Sequence, residues 1–272
     1  MIISSCLCRA GKNSTFEKHI EYKSERVFKH FEGIVIGKCS NCGILKTITP
    51  KSGIKFNPKQ SRGEFYDVNK EKFVELFKPI VQLVKQYVDS GSVLDVGCSS
   101  GILLSLLQDE GFNVTGIEPN KAAFEKARKR LGYKAFRGTL KDFLKRKRVK
   151  FDCIIYNHVL EHIADPIGEI KLAKKILKKT GVLIIGTPNT NNIIFYLRQK
   201  YWEPFMPNEH IWHFHSKYLI NLFKKLNFEV ADKLFFDDMR KDYPLIKRIY
   251  FSTLSTLNKI FNTGEATLLV FK

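Results

Sequence analysis

Residues 93–107 read VLDVGCSSGILLSLL, and this stretch decides the fold. An apolar run is followed by a turn that contains Gly97 and Gly101 and then by apolar residues at helical spacing. This pattern predicts a buried strand, a tight turn and a helix that ends near Gly111. Glu118 lies 21 residues beyond Gly97 and closes a second apolar strand, NVTGIE. Three features of this stretch together predict a nucleoside site. The glycines admit a ligand close to the backbone, the helix N-terminus favours negative charge, and the carboxylate accepts hydrogen bonds from ribose hydroxyls.

The glycine turn distinguishes two classes of nucleoside ligand. A dinucleotide fingerprint needs G-x-G-x-x-G around the pyrophosphate, and this sequence contains none. Asp95-x-Gly97-x-x-x-Gly101 instead resembles motif I of the class I S-adenosylmethionine-dependent methyltransferases, D/E-x-G-x-G-x-G, with Ser99 in place of the middle glycine. The resemblance implies S-adenosylmethionine as the cofactor and the following cofactor-binding residues: Asp95, Gly97, Cys98, Gly101, Glu118, Pro119, Asn157 and His158.

Three further segments extend the resemblance in the family's order. FDCIIYNHVLEHIADP, residues 151–166, is similar to the fourth-strand motif with its Leu-Glu-His pattern. GVLIIGTPN, residues 181–189, is similar to the strand that ends in a TPN loop, and residues 210–230 are similar to the family's H-x-x-x-F segment. The resemblance covers residues 61–272. It implies the class I methyltransferase fold, an α/β, doubly wound, Rossmann-like sheet of seven mostly parallel strands.

The alternation of apolar strands with amphipathic helices predicts where the elements of this sheet lie. A helix is predicted over residues 69–87, ahead of the first strand. Strands with helices between them are predicted over residues 93–97, 113–118, 134–137, 151–156 and 182–187. A last pair, residues 228–236 and 266–271, is predicted to form the family's antiparallel hairpin.

Length and composition bound the domain organisation. A chain of 272 residues, 44% of them hydrophobic, can bury the core of one domain of about 200 residues plus a small appendage. We predict a zinc-ribbon-like module over residues 1–60, with a linker near residues 49–63, and a methyltransferase domain over residues 61–272. The sequence has no run of about 18 apolar residues and no basic n-region with an h-region, so we expect a cytoplasmic protein.

Four of the six cysteines lie in the N-terminal module. Cys6-x-Cys8 and Cys39-x-x-Cys42, the latter followed by Gly43, have the layout of a zinc knuckle, so we expect structural zinc on these four cysteines. A metal-free knuckle and redox chemistry are the alternatives, and disulfides are less expected in a reducing compartment. In the family, zinc ribbons precede methyltransferase domains that act on sugars and natural products. The remaining two cysteines lie in the methyltransferase motifs and are expected to be buried.

The formal net charge of +19 raises the question of a nucleic-acid partner. Basic residues cluster at 141–150 and 171–179, but these segments fall on predicted amphipathic helices or the loops after them, and the lysines are spread along the whole chain. Asn157-His158-Val159-Leu160 replaces the N/D-P-P-Y/W loop of nucleic-acid amino methyltransferases, and no Pro-Cys nucleophile for cytosine chemistry is present. We therefore expect a small-molecule acceptor rather than nucleic acid.

Residues 243–262, YPLIKRIYFSTLSTLNKIFN, form an insertion between the last two predicted strands. Its apolar residues recur at helical spacing, and Lys247, Arg248 and Lys259 make it basic. Two interpretations remain open. The helix packs on its own domain or covers the active site, or it contacts a membrane or lipid carrier.

Histidine is the side chain suited to take a proton from an oxygen acceptor near neutral pH. His210 resembles the family's substrate-loop histidine and is the preferred base, and His162, six residues beyond the fourth strand, is the second candidate. His210-x-x-His213-x-His215 fits no single helix or strand face, so a metal site there is not favoured. Three aromatic residues are expected to line the acceptor pocket or to pack in the core: Trp202, Phe205 and Trp212.

The sequence supports a small-molecule methyltransferase as the main functional hypothesis. The expected acceptor is an oxygen or carbon of a sugar, a polysaccharide precursor or a related metabolite. Alternatives are an RNA methyltransferase, favoured by charge alone, and a lipid- or quinone-precursor methyltransferase at a membrane surface. A non-catalytic binding module is a further alternative, because Ser99 departs from motif I. The oligomeric state is not predicted.

Overall fold

The computed structural model describes residues 2–9, 13–22, 31–48, 68–237 and 243–272, which form twelve strands and eight α-helices. The strands are β1 (Ile2–Ser5), β2 (Asn13–Glu21), β3 (Val35–Cys39), β4 (Leu45–Ile48), β5 (Ser92–Val96), β6 (Asn113–Glu118), β7 (Ala135–Arg137), β8 (Phe151–Asn157), β9 (Leu177–Pro188), β10 (Trp212–His213), β11 (Val230–Phe236) and β12 (Ala266–Phe271). The α-helices are α1 (Lys70–Tyr87), α2 (Ile102–Asp109), α3 (Lys121–Leu131), α4 (Leu140–Arg146), α5 (Pro166–Ile176), α6 (Ile193–Arg198), α7 (Ser216–Lys225) and α8 (Leu245–Ile260).

The chain forms two compact units. The first contains Met1–Phe56, Leu160–Ile167 and Gly186–Leu269, and the second contains Asn57–Val159, Gly168–Ile185 and Val270–Lys272. Each unit is therefore built from three separate stretches of sequence. The predicted boundary at residue 60 and the predicted linker at residues 49–63 lie outside the described residues, so both stay predictions.

The larger sheet has seven strands in the order β11-β12-β9-β8-β5-β6-β7. β5 runs parallel to β6 and β8, and β6 runs parallel to β7. β5 and β8 are buried along nearly their whole length, because strands in the middle of such a sheet are covered on both faces and need no polar side. The predicted doubly wound, mostly parallel sheet is confirmed, and β11 and β12 are neighbours at its edge as expected.

β9 is longer than the sequence predicts. The sequence predicts the basic segment at residues 171–179 on a helix or the loop after it, but α5 ends at Ile176 and β9 begins at Leu177. Leu177 is buried, and Lys178 donates hydrogen bonds to both carboxylate oxygens of Asp152 on β8, at 2.9 and 2.8 Å. This ion pair lies in the part of β9 that precedes its predicted start. The local pattern of apolar residues does not predict it.

A second sheet, antiparallel throughout, lies in the first unit in the order β1-β2-β3-β4-β10. The sequence predicts only a small cysteine ribbon here. The fifth strand comes from far along the chain, since Trp212 pairs with Lys46 and His213 pairs with Leu45. Ile20, Ile36 and Leu45 are buried in one apolar cluster and give this sheet an apolar face.

The insertion predicted at residues 243–262 contains α8. Phe251 and Leu254 of this helix are buried in one apolar cluster with Ile194 and Phe195 of α6. One face of α8 therefore packs within its own unit, as one of the two interpretations anticipates. No helix in the described part of the chain is both long and apolar enough to cross a membrane.

Candidate functional site

The predicted cofactor loop joins β5 to α2 in the second unit. Asp95 is buried near the end of β5, and Gly97 follows it with a φ of 79°, in the left-handed region that favours glycine. A Cβ on Gly97 would lie 2.5 Å from Cγ2 of Val159, far inside van der Waals contact. The position therefore demands glycine for both its backbone conformation and its space.

Ser99 stands where motif I of the family has a glycine. Its φ is 49°, so a residue with a side chain adopts the left-handed conformation here, at a cost of about 1–2 kcal/mol. Its backbone N–H donates a hydrogen bond of 2.9 Å to Oε2 of Glu118. The loop thus keeps a glycine-like backbone despite the substitution, and the carboxylate of Glu118 helps to hold it.

Glu118 lies at the end of β6, where its carboxylate is fixed by two backbone donors. Oε2 accepts from the N–H of Ser99, and Oε1 accepts from the N–H of Asn120 at 2.7 Å. Because an ionised carboxylate has about four acceptor sites, it can accept two further hydrogen bonds, the number that a ribose diol donates. The orientation of this side chain is set before any ligand binds.

Burial affects the pKa values of both acidic residues at this site. Desolvation raises the pKa of Glu118, and the two N–H donors oppose that rise. Desolvation also raises the pKa of Asp95 well above its usual value, and the negative charge of Glu118 adds to the effect. Two buried carboxylates close to one another favour a positively charged ligand, and both the sulfonium and the amino group of S-adenosylmethionine are cationic.

A pocket that is open to solvent adjoins the loop. Its lining consists of Phe77, Asp95, Gly97, Cys98, Ser99, Ser100, Ile102, Leu103 and Asn157. Four of the predicted cofactor residues are therefore brought together here, and Glu118 joins them through Ser99. Gly101, Pro119 and His158 are not among the described residues that line the pocket. At Gly101 a Cβ would lie 2.8 Å from Cδ1 of Leu131, so this glycine lets α2 pack closely on α3.

The motifs miss several pocket residues. Phe77 lies on α1, ahead of every motif, and only its apolar position in an amphipathic helix distinguishes it. The hydroxyl of Ser100 is buried and has no hydrogen-bond partner among the described residues. A buried hydroxyl without a partner is costly, so a ligand with polar groups completes this loop. The glycine cradle and this hydroxyl fit the cofactor that the sequence predicts.

His162 and His210, the two predicted catalytic residues, lie together in the first unit, with ring centroids 4.7 Å apart and the rings edge to face. Nδ1 of His162 is 3.0 Å from the carbonyl oxygen of Glu209. Because a carbonyl oxygen only accepts, this contact assigns the proton to Nδ1 and leaves Nε2 of a neutral ring as an acceptor. His162 is half-buried, whereas His210 is buried.

Glu161 joins the two histidines in a cluster that the sequence motifs do not reveal. Ligand atoms of Glu161, His162 and His210 lie within 4.8 Å of one another. Imidazole nitrogens and a carboxylate oxygen suit a divalent transition-metal ion, so this cluster can take up either a proton or a cation. The adjacency of Glu161 and His162 in the Leu-Glu-His pattern is the only sequence signal for it.

The other two histidines of this segment have structural partners. The hydroxyl of Thr47 donates to the carbonyl oxygen of His210 at 2.7 Å, so the 2.8 Å contact between Thr47 and His213 requires the ring Nε2–H to donate. Burial lowers the pKa of His213 well below its usual value. Nδ1 of His215 accepts from the N–H of Tyr218 and caps α7. The structure therefore does not bring His213 and His215 together with His210 as metal ligands.

The three predicted pocket aromatics are core residues of the first unit. Trp202 is buried and donates its Nε1–H to Oε1 of Glu265 at 2.6 Å. Phe205 is buried and stacks on the ring of His213 with centroids 4.1 Å apart. Trp212 is buried as well, and the ammonium of Lys46 lies 4.7 Å from the centre of its ring.

Cys6, Cys8, Cys39 and Cys42 converge on one point of the first unit. The Sγ atom of Cys6 lies 3.3 Å from that of Cys8, 3.4 Å from that of Cys39 and 3.6 Å from that of Cys42. Tetrahedral zinc with Zn–S bonds of about 2.3 Å separates its sulfurs by about 3.8 Å. The 3₁₀ turn Leu7–Arg9 lets the short Cys6-x-Cys8 spacing fit. The four thiols therefore match the size of a zinc site.

The charges around these cysteines also suit a metal. Hydrogen bonds among the thiols, chiefly with Cys42, lower the pKa of Cys6 to about 5, and burial together with Cys6 raises the pKa of Cys8 to about 11. The ammonium of Lys46 donates to Ser4 and Ser5 close by, at 2.9–3.0 Å. Four thiolates around one Zn²⁺ carry a net charge of −2, half of which this cation would offset.

Comparison with known proteins agrees with the fold. A family profile described as a methyltransferase domain matches residues 68–233. The ubiquinone biosynthesis O-methyltransferase of Actinobacillus pleuropneumoniae serotype 7 (strain AP76) is 37% identical over 108 residues, which cover 36% of this chain and 45% of that protein. The match thus spans less than half the length of that curated relative.

Solved structures share the architecture. A SAM-dependent methyltransferase from Archaeoglobus fulgidus matches with a TM-score of 0.54 at 19% identity, covering 76% of this chain and 99% of that one. Magnesium protoporphyrin IX methyltransferase from Synechocystis PCC 6803, solved with bound SAH, matches with a TM-score of 0.52 at 15% identity, covering 72% and 81%. At such identities the likeness establishes the fold.

The sheet order, the glycine loop after β5 and the acidic end of β6 define the class as that of the class I S-adenosylmethionine-dependent methyltransferases. The chain belongs to the methyltransferase family, whose domain profile covers residues 68–233.

Proposed function

We propose that the protein transfers the methyl group of S-adenosylmethionine to a hydroxyl oxygen of a small aromatic molecule, a quinone precursor or a close analogue. The observation that carries this proposal is the similarity to ubiquinone biosynthesis O-methyltransferases, at 37% and 35% identity for two of them. These relatives favour the quinone-precursor alternative over the sugar acceptor that the sequence first suggests.

The cofactor supplies a methyl group activated by its sulfonium, and the chain's residues bind and orient it. We assign the ribose hydroxyls to Glu118, because its carboxylate is fixed by Ser99 and Asn120 and still has acceptor sites. We assign the cationic amino-acid part to Asp95 and the adjoining loop, where the hydroxyl of Ser100 lacks a partner among the described residues.

The acceptor oxygen must lose its proton during transfer. A phenol ionises near pH 10, as tyrosine does, so its oxygen is a weak nucleophile at neutral pH and a positioned base accelerates the reaction by about 10²- to 10⁴-fold. We assign this role to His162, because the carbonyl of Glu209 holds Nδ1 and leaves Nε2 as the acceptor. His210, the base preferred from the sequence, is buried and becomes the second candidate.

A labelled-methyl assay tests the acceptor class. Purified full-length protein is incubated with methyl-labelled S-adenosylmethionine and with catechols, dihydroxybenzoates, monosaccharides or bulk RNA, and the products are identified by mass spectrometry. We expect labelled methyl ethers of the aromatic hydroxyls. Labelling of sugars alone would refute the aromatic acceptor, and labelled RNA at about 200 mM salt would favour an RNA methyltransferase. Glu118→Ala serves as the control that loses cofactor-dependent labelling.

A matched pair of variants tests the base. His162→Asn keeps an N–H donor for the carbonyl of Glu209 but offers no basic nitrogen, so turnover should fall by about 10²- to 10⁴-fold with cofactor affinity unchanged. His210→Asn is the comparison, and a larger loss in this variant would transfer the role to His210. Normal turnover in both would mean that no histidine base operates. Turnover that a chelator abolishes and a divalent cation restores would assign the cluster with Glu161 to a metal ion.

We also propose that the four N-terminal cysteines bind one structural zinc ion. The sulfur–sulfur distances of 3.3–3.8 Å and the nearby ammonium of Lys46 support this assignment. The metal would lock the turn at residues 39–44, where the N–H of Gly43 donates to the carbonyl of Cys39 at 2.8 Å. It would tie this turn to the short helix after β1 and so stabilise the antiparallel sheet.

A further inference from the structure

Helix α8 carries apolar residues on two faces. Phe251 and Leu254 lie on the inner face and are buried within the first unit. The outer face consists of residues spaced three and four apart, which share one side of a helix: Ile246, Ile249, Thr253, Thr256 and Ile260. Its isoleucines are 58% to 83% exposed. Single scattered hydrophobic residues are normal on a protein surface, whereas a row of exposed aliphatic residues along one helix indicates an interaction surface.

The two threonines do not make the outer face polar. The hydroxyl of Thr253 donates to the carbonyl of Ile249, and that of Thr256 donates to the carbonyl of Ser252, both at 3.0 Å. A threonine that bonds back to its own helix in this way has its hydroxyl satisfied without water. Neither threonine therefore presents an unsatisfied hydroxyl donor to an apolar partner that covers the outer face.

Further apolar residues are exposed at the ends of α8 and on the helix next to it. Leu245 and Phe261 are exposed at the two ends of α8. Tyr196 and Leu197 are exposed on α6, the helix that packs against α8 through the shared apolar cluster. An exposed tyrosine suits a boundary between hydrocarbon and water, because its ring is apolar and its hydroxyl is polar.

The charge of α8 has one sign. The helix contains Lys247, Arg248 and Lys259 and no acidic residue. Arg248 and Lys259 each precede an outer-face isoleucine by one residue, so both lie on the same flank of that face. A basic flank beside an apolar face favours a partner that is apolar within and negatively charged at its surface.

We propose that the outer face of α8 binds the surface of a membrane that contains anionic phospholipids. The helix lies along the membrane surface, with its isoleucines at the boundary of the acyl chains and Arg248 and Lys259 near the phosphates. A second copy packed antiparallel on this face suits it poorly, because that two-fold contact would bring the basic flanks of both copies together. The proposal goes beyond the proposed function and does not depend on it.

Sedimentation with vesicles tests the proposal on the full-length protein, without cofactor or acceptor. We expect binding to vesicles of mixed phosphatidylcholine and phosphatidylglycerol, weaker binding to phosphatidylcholine alone, and a decline of binding with salt. Ile249→Asp with Ile260→Asp should reduce binding at least tenfold. Arg248→Glu with Lys259→Glu should reduce it by more than about fivefold for each charge.

Tyr133→Asp is the matched control, because Tyr133 is 94% exposed on the second unit and its loss should leave vesicle binding unchanged. Unaltered circular dichroism and cofactor affinity show that each variant folds. Wild-type protein that ignores anionic vesicles at low salt would overturn the proposal, as would equal binding by the double aspartate variant. A wild-type dimer that the aspartate variant converts to monomers would assign the face to a second copy and overturn it too.

Discussion

Alanine in place of Gly97 tests the cofactor loop most directly. An alanine at a φ of 79° costs about 1–2 kcal/mol of unfolding free energy, because its Cβ crowds the following carbonyl. The same Cβ would lie 2.5 Å from Cγ2 of Val159, whereas a normal carbon–carbon contact is about 3.5–4.0 Å. Either the side chain of Val159 or the loop that contains Gly97 must therefore move by about 1 Å. Overpacking of this kind costs about a further 1–3 kcal/mol. The expected total is therefore about 2–5 kcal/mol, with cofactor affinity reduced at least tenfold.

Gly111→Ala separates the two contributions. Gly111 has a φ of 89°, but a Cβ there would meet nothing within 4 Å, so only the backbone cost of about 1–2 kcal/mol is expected, with unchanged cofactor affinity. Urea unfolding measures stability and calorimetry measures affinity for S-adenosylmethionine. Val159→Ala combined with Gly97→Ala should recover part of the affinity. The reasoning fails if Gly97→Ala costs no more than Gly111→Ala and binds the cofactor normally.

Three further outcomes are expected. Glu118→Gln should weaken cofactor binding about 10- to 150-fold, since it removes a charge-assisted contact of about 1.5–3 kcal/mol. In the wild type, burial raises the pKa of Glu118 above 4.5. Calorimetry across pH should therefore show that cofactor affinity falls as the pH drops through that raised value. Metal analysis should find one zinc per chain. The Cys39→Ser, Cys42→Ser double variant should lose this zinc, and its first unit should be less stable. Wild-type protein that is equally stable without metal would contradict the site. His213 stays neutral when folded because burial lowers its pKa, whereas the unfolded chain binds a proton there below about pH 6.5. This residue should therefore lower the unfolding free energy by up to about 1.4 kcal/mol per pH unit below that point. His213→Gln, which keeps an N–H for Thr47, should remove the contribution of His213 to this slope in urea titrations.

The parts of the fold that the sequence predicts are those encoded locally. β5, β6 and β8 are short apolar runs bounded by turns, and each lies within a residue of its predicted position. The glycine loop and Glu118 are close in sequence to the strands that carry them, so their meeting follows once the strands are parallel neighbours. Motif and geometry agree here because the same backbone turn dictates both.

Long-range contacts account for what the sequence does not predict. β10 is two residues long, too short to carry a periodic signal, and its pairing with β4 depends on the whole intervening fold. Thr47 contacts His213 across 166 positions of sequence, and Glu161 meets His210 only because the first unit gathers separate stretches of chain. Phe77 enters the pocket lining from a helix that no motif includes.

The late arrival of β10 has a consequence for the newly made chain. β4 ends at Ile48, but the strand that covers its edge begins at Trp212, so about 160 residues must be synthesised between them. At about 5–20 residues per second, the edge of β4 stays without its neighbour for roughly 10–30 s. An uncovered strand edge is a template for pairing with other chains. Slow translation should therefore favour aggregation through the N-terminal sheet. If the cysteines take up zinc early, as proposed, the metal would organise the β3–β4 turn and limit this aggregation.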